Sequence, residues 1–135
     1  MKVFILTISL SLSVFAQSAE INSYLKTLNL EVLKKEPGFS GFDSKRGEVI
    51  FTSKHIGKKG KEISCISCHS NNLSKEGKNF FTGKVIEPLS PLTNSKRLTS
   101  LKNVKKWLRR NFKDVYKREG TAKEKGDVLS YIMSK

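Results

Sequence analysis

Three features of this 135-residue chain predict an all-α fold: apolar residues stepping by three and four in several segments, helix-start signals ahead of them, and no alternating run long enough for a convincing strand. The first periodic segment holds Ile21, Tyr24, Leu25 and Leu28 and must stop by Pro37-Gly38. A second begins near Asp43, a good N-cap, and continues through Gly47 and Phe51, four residues apart and so on one face. Gly47, lacking a side chain, lets another helix approach closely. A third runs from about Ser100 to Asn111, with Leu101, Val104, Leu108 and Asn111 along its apolar stripe and Trp107 beside it. The last opens on Thr121-Ala122-Lys123-Glu124, a capping box. It carries Val128, Leu129, Tyr131 and Ile132 at packing positions, the expected partners of Gly47 and Phe51. The Gly- and Pro-punctuated stretch from Asn71 to Pro91 reads as a loop.

The N-terminus carries an export signal. Lys2 gives a positive start, Val3 to Val14 is apolar apart from Ser and Thr, and cleavage is expected after Ala16 or Ala19. Residues 1–19 are thus expected to leave, and residues 20–135 to form one domain in the periplasm. The apolar run falls short of the about 20 residues a membrane span needs, and no later segment qualifies. An uncleaved anchor is the other reading of that run.

Cys65-Ile66-Ser67-Cys68-His69 is the segment that points to chemistry. Two thiols three residues apart can each add across a haem vinyl group, and the adjacent imidazole is directed at the iron. The expected cofactor is one covalently attached haem c per chain, with Cys65 and Cys68 as thioethers and His69 as the proximal ligand. A zinc site would have to recruit His55 as its fourth ligand, a thioredoxin-like pair lacks its βαβ surroundings, and a plain disulfide leaves the histidine without a role. A domain this short buries little apolar surface unaided, and a flat apolar macrocycle would complete the core.

The chain has 26 Lys plus Arg against 12 Asp plus Glu, a net charge of +14. Either the lysines only keep the protein soluble, or the surface seeks an anionic partner. Export argues against nucleic acid and for an acidic redox protein or peripheral contact with an anionic membrane. The basic stretch from Lys54 to Lys61, just before the motif, would surround the approach to the haem.

The sixth iron ligand is less plain. A methionine usually closes electron-transfer cytochromes c, but Met1 leaves with the signal and Met133 lies near the end of the last helix. His55 could ligate and give a closed iron, or could be a solvated loop histidine among lysines. Asn111 sits on an apolar stripe and either ends its helix by bonding nearby backbone or needs another partner.

From about Gly47 onward the chain resembles the sphaeroides haem protein family, oxygen-binding cytochromes c. The blocks that carry the likeness are Ser64 to His69, Thr82-Gly83-Lys84-Val85-Ile86-Glu87-Pro88-Leu89-Ser90-Pro91, Arg97-Leu98-Thr99, and Val104-Lys105-Lys106-Trp107-Leu108-Arg109-Arg110-Asn111. The resemblance implies a single-domain, class I-like cytochrome c, the first helix being an N-terminal addition. It further implies that Asn111 is a distal ligand released on reduction, opening the iron to dioxygen or nitric oxide. A dihaem cytochrome c would supply the electrons. Members can also carry a cysteine just after the asparagine, bridged to a second one several residues on. This chain has Phe112 there and no cysteine beyond Cys68, which predicts a looser segment from Asn111 to Gly120.

The remaining candidates are Lys84 and Arg97 as partners of haem propionates or as solvated surface cations, Trp107 packed on the haem or core, and Pro88 or Pro91 as carbonyl acceptor for the proximal imidazole. No protein-side nucleophile or general base stands out, so any catalysis would belong to the iron and its electron supply. Two functions follow: a gas-binding haem protein decided by Asn111, or an ordinary electron carrier closed by His55.

Overall fold

The computed structural model of the chain describes the backbone from Leu12 and the side chains from Ala19 to Lys135. Residues 1–18, all but the last residue of the expected export segment, therefore lie outside the described side chains. Among the described residues the helices are α1 (Leu12–Leu33), α2 (Ser44–Thr52), α3 (Ile66–His69), α4 (Leu101–Tyr116) and α5 (Ala122–Met133). None is long and apolar enough to cross a membrane. Two small antiparallel hairpins join them: β1 (His55–Ile56) with β2 (Glu62–Ile63), and β3 (Gly77–Lys78) with β4 (Val85–Ile86). Strands of two residues are too short to leave an alternating pattern in a sequence, which is why the expected fold had none.

The helix starts follow from side-chain oxygens that satisfy otherwise unpaired N–H groups. Asp43 accepts from the Arg46 N–H at 2.7 Å, and Ser100 from the Asn103 N–H at 3.3 Å. At α5 the capping box is complete: Thr121 accepts from Glu124 N–H at 3.2 Å and Glu124 accepts from Thr121 N–H at 2.8 Å.

The α4 helix does not end at Asn111. Phe112 and Val115, both buried, extend the apolar stripe of Val104 and Leu108, and the helix stops after Tyr116, where Lys117 turns left-handed at φ 56°. Asn111 is thus a half-buried residue on the shoulder of that stripe, inside the helix and not its cap.

Helices α2 and α5 cross at Gly47, where an added Cβ would strike the Asp127 carbonyl and the Tyr131 side chain. One turn on, the Phe51 and Tyr131 rings lie 5.4 Å apart. Leu28 and Val32 of α1 are buried in the same core as Phe51, Leu108, Phe112, Val128 and Leu129. The N-terminal addition is therefore a structural part of the domain.

Candidate haem site

Helix α3 is a single turn, so Cys65, Cys68 and His69 occupy positions i, i+3 and i+4 on one side of it. Cys68 N–H and His69 N–H both donate to the Cys65 carbonyl, at 3.2 and 3.1 Å, while Ser67 accepts from Ser64 N–H at 2.9 Å. Ser70, at φ 68°, ends the turn. Gly77 of β3 lies so close behind the turn that a Cβ there would strike the Cys68 carbonyl. The Phe80 N–H, on the same hairpin, points at Cys68 Sγ across 3.3 Å.

Both thiols are free and half-buried. Burial, with the neighbouring Cys68 sulfur adding to it, pushes the Cys65 thiol up to about 12, so it is protonated at neutral pH. Burial also pulls the His69 imidazole down to about 4, helped by the positive charge of Arg97. A neutral imidazole has a lone pair to give, the form in which histidine binds metals. Its Nδ1 is buried without a hydrogen-bond partner. Phe51, from the α2–α5 crossing, supports the ring at 5.9 Å between centroids.

The Pro88 carbonyl does not serve the proximal imidazole. It accepts from Arg97 Nε at 2.9 Å and from Asn94 Nδ2 at 3.3 Å, and so both lone pairs are used. Arg97 also donates to the Glu87 carbonyl at 2.7 Å. Arg97, offered as a propionate partner or a solvated surface cation, thus clamps the 87–88 backbone. Lys84 is exposed on the second hairpin.

Trp107 is 47 % exposed, held between Lys106 and Arg110, and not packed into the core. His55 is not a solvated loop histidine: it lies in β1, its ring stacks on Tyr116 at 4.1 Å, and its Nε2 is buried without a partner. Among the described residues it does not gather with Cys65, Cys68 and His69 into a metal cage. Met133 is exposed at the end of α5.

As far as Tyr116, the segment that follows Asn111 is not the loop expected. Residues 111–116 are helical, Phe112 is buried, and its ring packs against Gly120 so closely that a Cβ at 120 would strike it. The Tyr116 hydroxyl donates to the Ile50 carbonyl on α2 at 2.6 Å. Burial, together with the Cys65 sulfur and Glu124, pushes this phenol up to about 12, so it stays a donor. Phe112 and Tyr116 were legible in principle, since the three-four stepping runs on from Leu108 through Phe112 to Val115.

Residues 37–132 match a family described as a domain of unknown function, DUF1924. The chain belongs to this family. Cytochrome c'' from Methylophilus methylotrophus is 35% identical over 88 residues, which are 65% of this chain and 61% of that protein, so the chain covers about three fifths of that relative. The cytochrome c-type protein SHP of Cereibacter sphaeroides is 38% identical over 90 residues, 67% of this chain and 69% of that one. The structure of oxidised SHP, described as an oxygen-binding cytochrome c, superposes with a TM-score of 0.69 at 32% identity, covering 82% and 96% of the two chains. The solution structure of cytochrome c'', which addresses haem-ligand detachment, gives 0.76 at 27% identity, covering 87% and 94%. The fold is that of the all-α cytochromes c, and the sphaeroides haem protein is a relative.

The residues of the site suit the haem c that such relatives imply. Two unbridged thiols and a buried neutral imidazole with an unpartnered nitrogen, beside the Phe51 ring, fit an apolar macrocycle with one iron.

Proposed function

We propose that this monohaem cytochrome c holds its haem through thioethers to Cys65 and Cys68, with His69 as proximal ligand, and that Asn111 is a releasable distal ligand. The haem supplies electron acceptance and gas binding. The position of Asn111 carries the reading: an amide on the inward shoulder of α4, inside the helix, is in no place to cap its end. An amide oxygen is a weak neutral donor. On reduction Asn111 withdraws, and the vacated side accepts dioxygen or nitric oxide. Support comes from the relatives described as oxygen-binding and as undergoing haem-ligand detachment. The reading further places the protein in the periplasm after loss of residues 1–19, taking electrons from a dihaem cytochrome c or another acidic redox protein.

The enclosed, unpartnered Nε2 of His55 favours one rival, an electron carrier closed by that histidine. Visible spectra of oxidised and reduced protein, with and without carbon monoxide, separate the two. Release of Asn111 gives a reduced high-spin spectrum that converts on adding the gas, and Asn111→Ala abolishes the oxidised low-spin form. A reduced low-spin spectrum indifferent to the gas, lost in His55→Ala, would overturn the proposal.

A further inference from the structure

Helix α4 concentrates positive charge where solubility alone would mix signs. At the helical pitch, Lys102, Lys106, Arg109, Arg110 and Lys113 share an arc of about 100°, on the side away from the buried Leu108, Phe112 and Val115. All five are exposed. Lys102 and Lys106, Lys106 and Arg110, and Arg109 and Lys113 stand four residues apart, a spacing at which like charges repel and weaken the helix. Some cations outside this face have an acidic neighbour: Lys54 faces Glu62, Lys58 Asp114, Lys123 Glu36 and Lys135 Glu48. On this face, among the described residues, Lys113 with Glu119 is the one such pair. At its edge Trp107 stands half exposed, with Lys106 Nζ and Arg110 Cζ each 5.1 Å from its ring. An exposed Trp flanked by Arg is the composition of binding hot spots.

We infer that the outer face of α4 is the docking surface for an acidic redox protein. The inference rests on the electron-acceptor reading above and gives it a place: Trp107 precedes Asn111 by one helical turn, so a partner seated there lies beside the distal ligand. A membrane is the weaker fit. A helix that lies on a bilayer buries its apolar face in the lipid, and the apolar face of α4 is already spent on the protein core. What remains is charge complementarity around one aromatic, which suits a transient encounter steered by electrostatics.

The test is stopped-flow reduction of the holoprotein by a reduced flavodoxin, a small acidic electron donor, as a function of ionic strength. The double variant Lys106→Glu/Arg110→Glu places opposite charges at 102 and 106 but like charges at 106, 110 and Asp114, so its helix content is matched to the native protein by far-UV circular dichroism before rates are compared. Its second-order rate at low salt falls by about tenfold or more and loses its salt dependence, with spectrum and potential unchanged. Lys26→Glu/Lys34→Glu, an equal change of net charge on exposed lysines of the α1 segment, stays within about twofold of the native protein. Equal losses in the two doubles would mean that only total charge matters and would overturn the assignment. Retained flavodoxin rates in the α4 double, together with lost binding to phosphatidylglycerol vesicles, would make the face a membrane contact and overturn it too. Should flavodoxin fail to reduce native protein that dithionite reduces, the acceptor reading fails. The docking surface is then judged by NMR: the resonance of the single indole N–H shifts on adding flavodoxin to native protein but not to the α4 double if the surface is right, and stays put in both if it is wrong.

Discussion

At the scale of single residues, the site depends on atoms with no room to spare. Gly77 lies against the carbonyl of Cys68, the residue that would carry the second thioether. Gly77→Ala must therefore displace the hairpin or the motif, a strain of about 1–3 kcal/mol. The expected outcome is less haem bound per chain, read from the pyridine haemochrome absorbance against protein mass, and normal loading would show that the hairpin can yield. Asp127 presents the opposite case, a charge with every partner in place. It is 2 % exposed and accepts from Arg46 Nε and Nη2, both at 2.9 Å, and from Asp43 N–H at 2.8 Å. Arg46→Ala leaves that carboxylate buried with one donor. Because the arginine side chain is itself 43% exposed, the expected loss in urea-unfolding free energy is about 1–3 kcal/mol, below the full cost of breaking a buried pair.

Elements differ in how plainly they were written. Helices α2 and α5 announce themselves through Asp43 and the Thr121–Glu124 capping box, and Gly47 foretells their crossing, because caps and small-residue contacts are local in sequence. The end of α4 was misplaced at Asn111, because an Asn reads as a terminus, although the apolar stepping runs on through Phe112 and Val115, both buried. The hairpins, being two residues per strand, have no pattern to read. At the site, the one-turn motif was legible in full, whereas the diversion of the Pro88 carbonyl to Arg97 depends on a contact nine residues apart in the chain.

Two predictions belong to this scale. Tyr116→Phe removes the 2.6 Å bond that ties α4 to α2, a loss of about 1 kcal/mol. If that tie also restrains Asn111, cyanide binds the oxidised protein roughly three- to tenfold faster. Ser90→Ala, which breaks the bond to the Lys135 carbonyl far from α4, leaves that rate alone. The second concerns the start of α5. The Arg118 guanidinium, with the Thr121 N–H, holds the Glu124 carboxyl below its ordinary value of 4.5. Such a group stabilises the fold fully above its unfolded pKa, and the contribution is lost as pH falls through the lower folded one. Melting temperature should drop on acidification below about 4.5, and Glu124→Gln should be less stable at pH 7 and show a shallower drop.

The whole molecule divides into two unequally supported halves. The helices α1, α2, α4 and α5 share one core, in which Leu28, Val32, Phe51, Leu108, Leu129 and Ile132 are buried. The stretch from residue 53 to 100 holds the haem motif yet has only two-residue strands, a turn of 3-10 helix and the one-turn α3. Its ties to itself are mostly hydrogen bonds between turns: Leu73 accepts from Leu89 and Ser90 N–H, and Asn79 accepts from Phe81 and Thr82 N–H. Such a segment has little apolar burial of its own to offset the entropy of ordering it. A covalently held macrocycle beside Phe51 and His69 would supply the missing contact area. The Cys65→Ala/Cys68→Ala variant, which cannot hold haem covalently, should therefore lose order unevenly. Trypsin is expected to cut it first at Lys75, Lys78, Lys84 and Lys96, while far-UV circular dichroism retains more than half of the helical signal of the holoprotein, because the helices keep their own core. Protection of those four lysines equal to that in the holoprotein would show that the segment is ordered by protein contacts alone. A fully unfolded spectrum would show that the helical core, too, needs the cofactor.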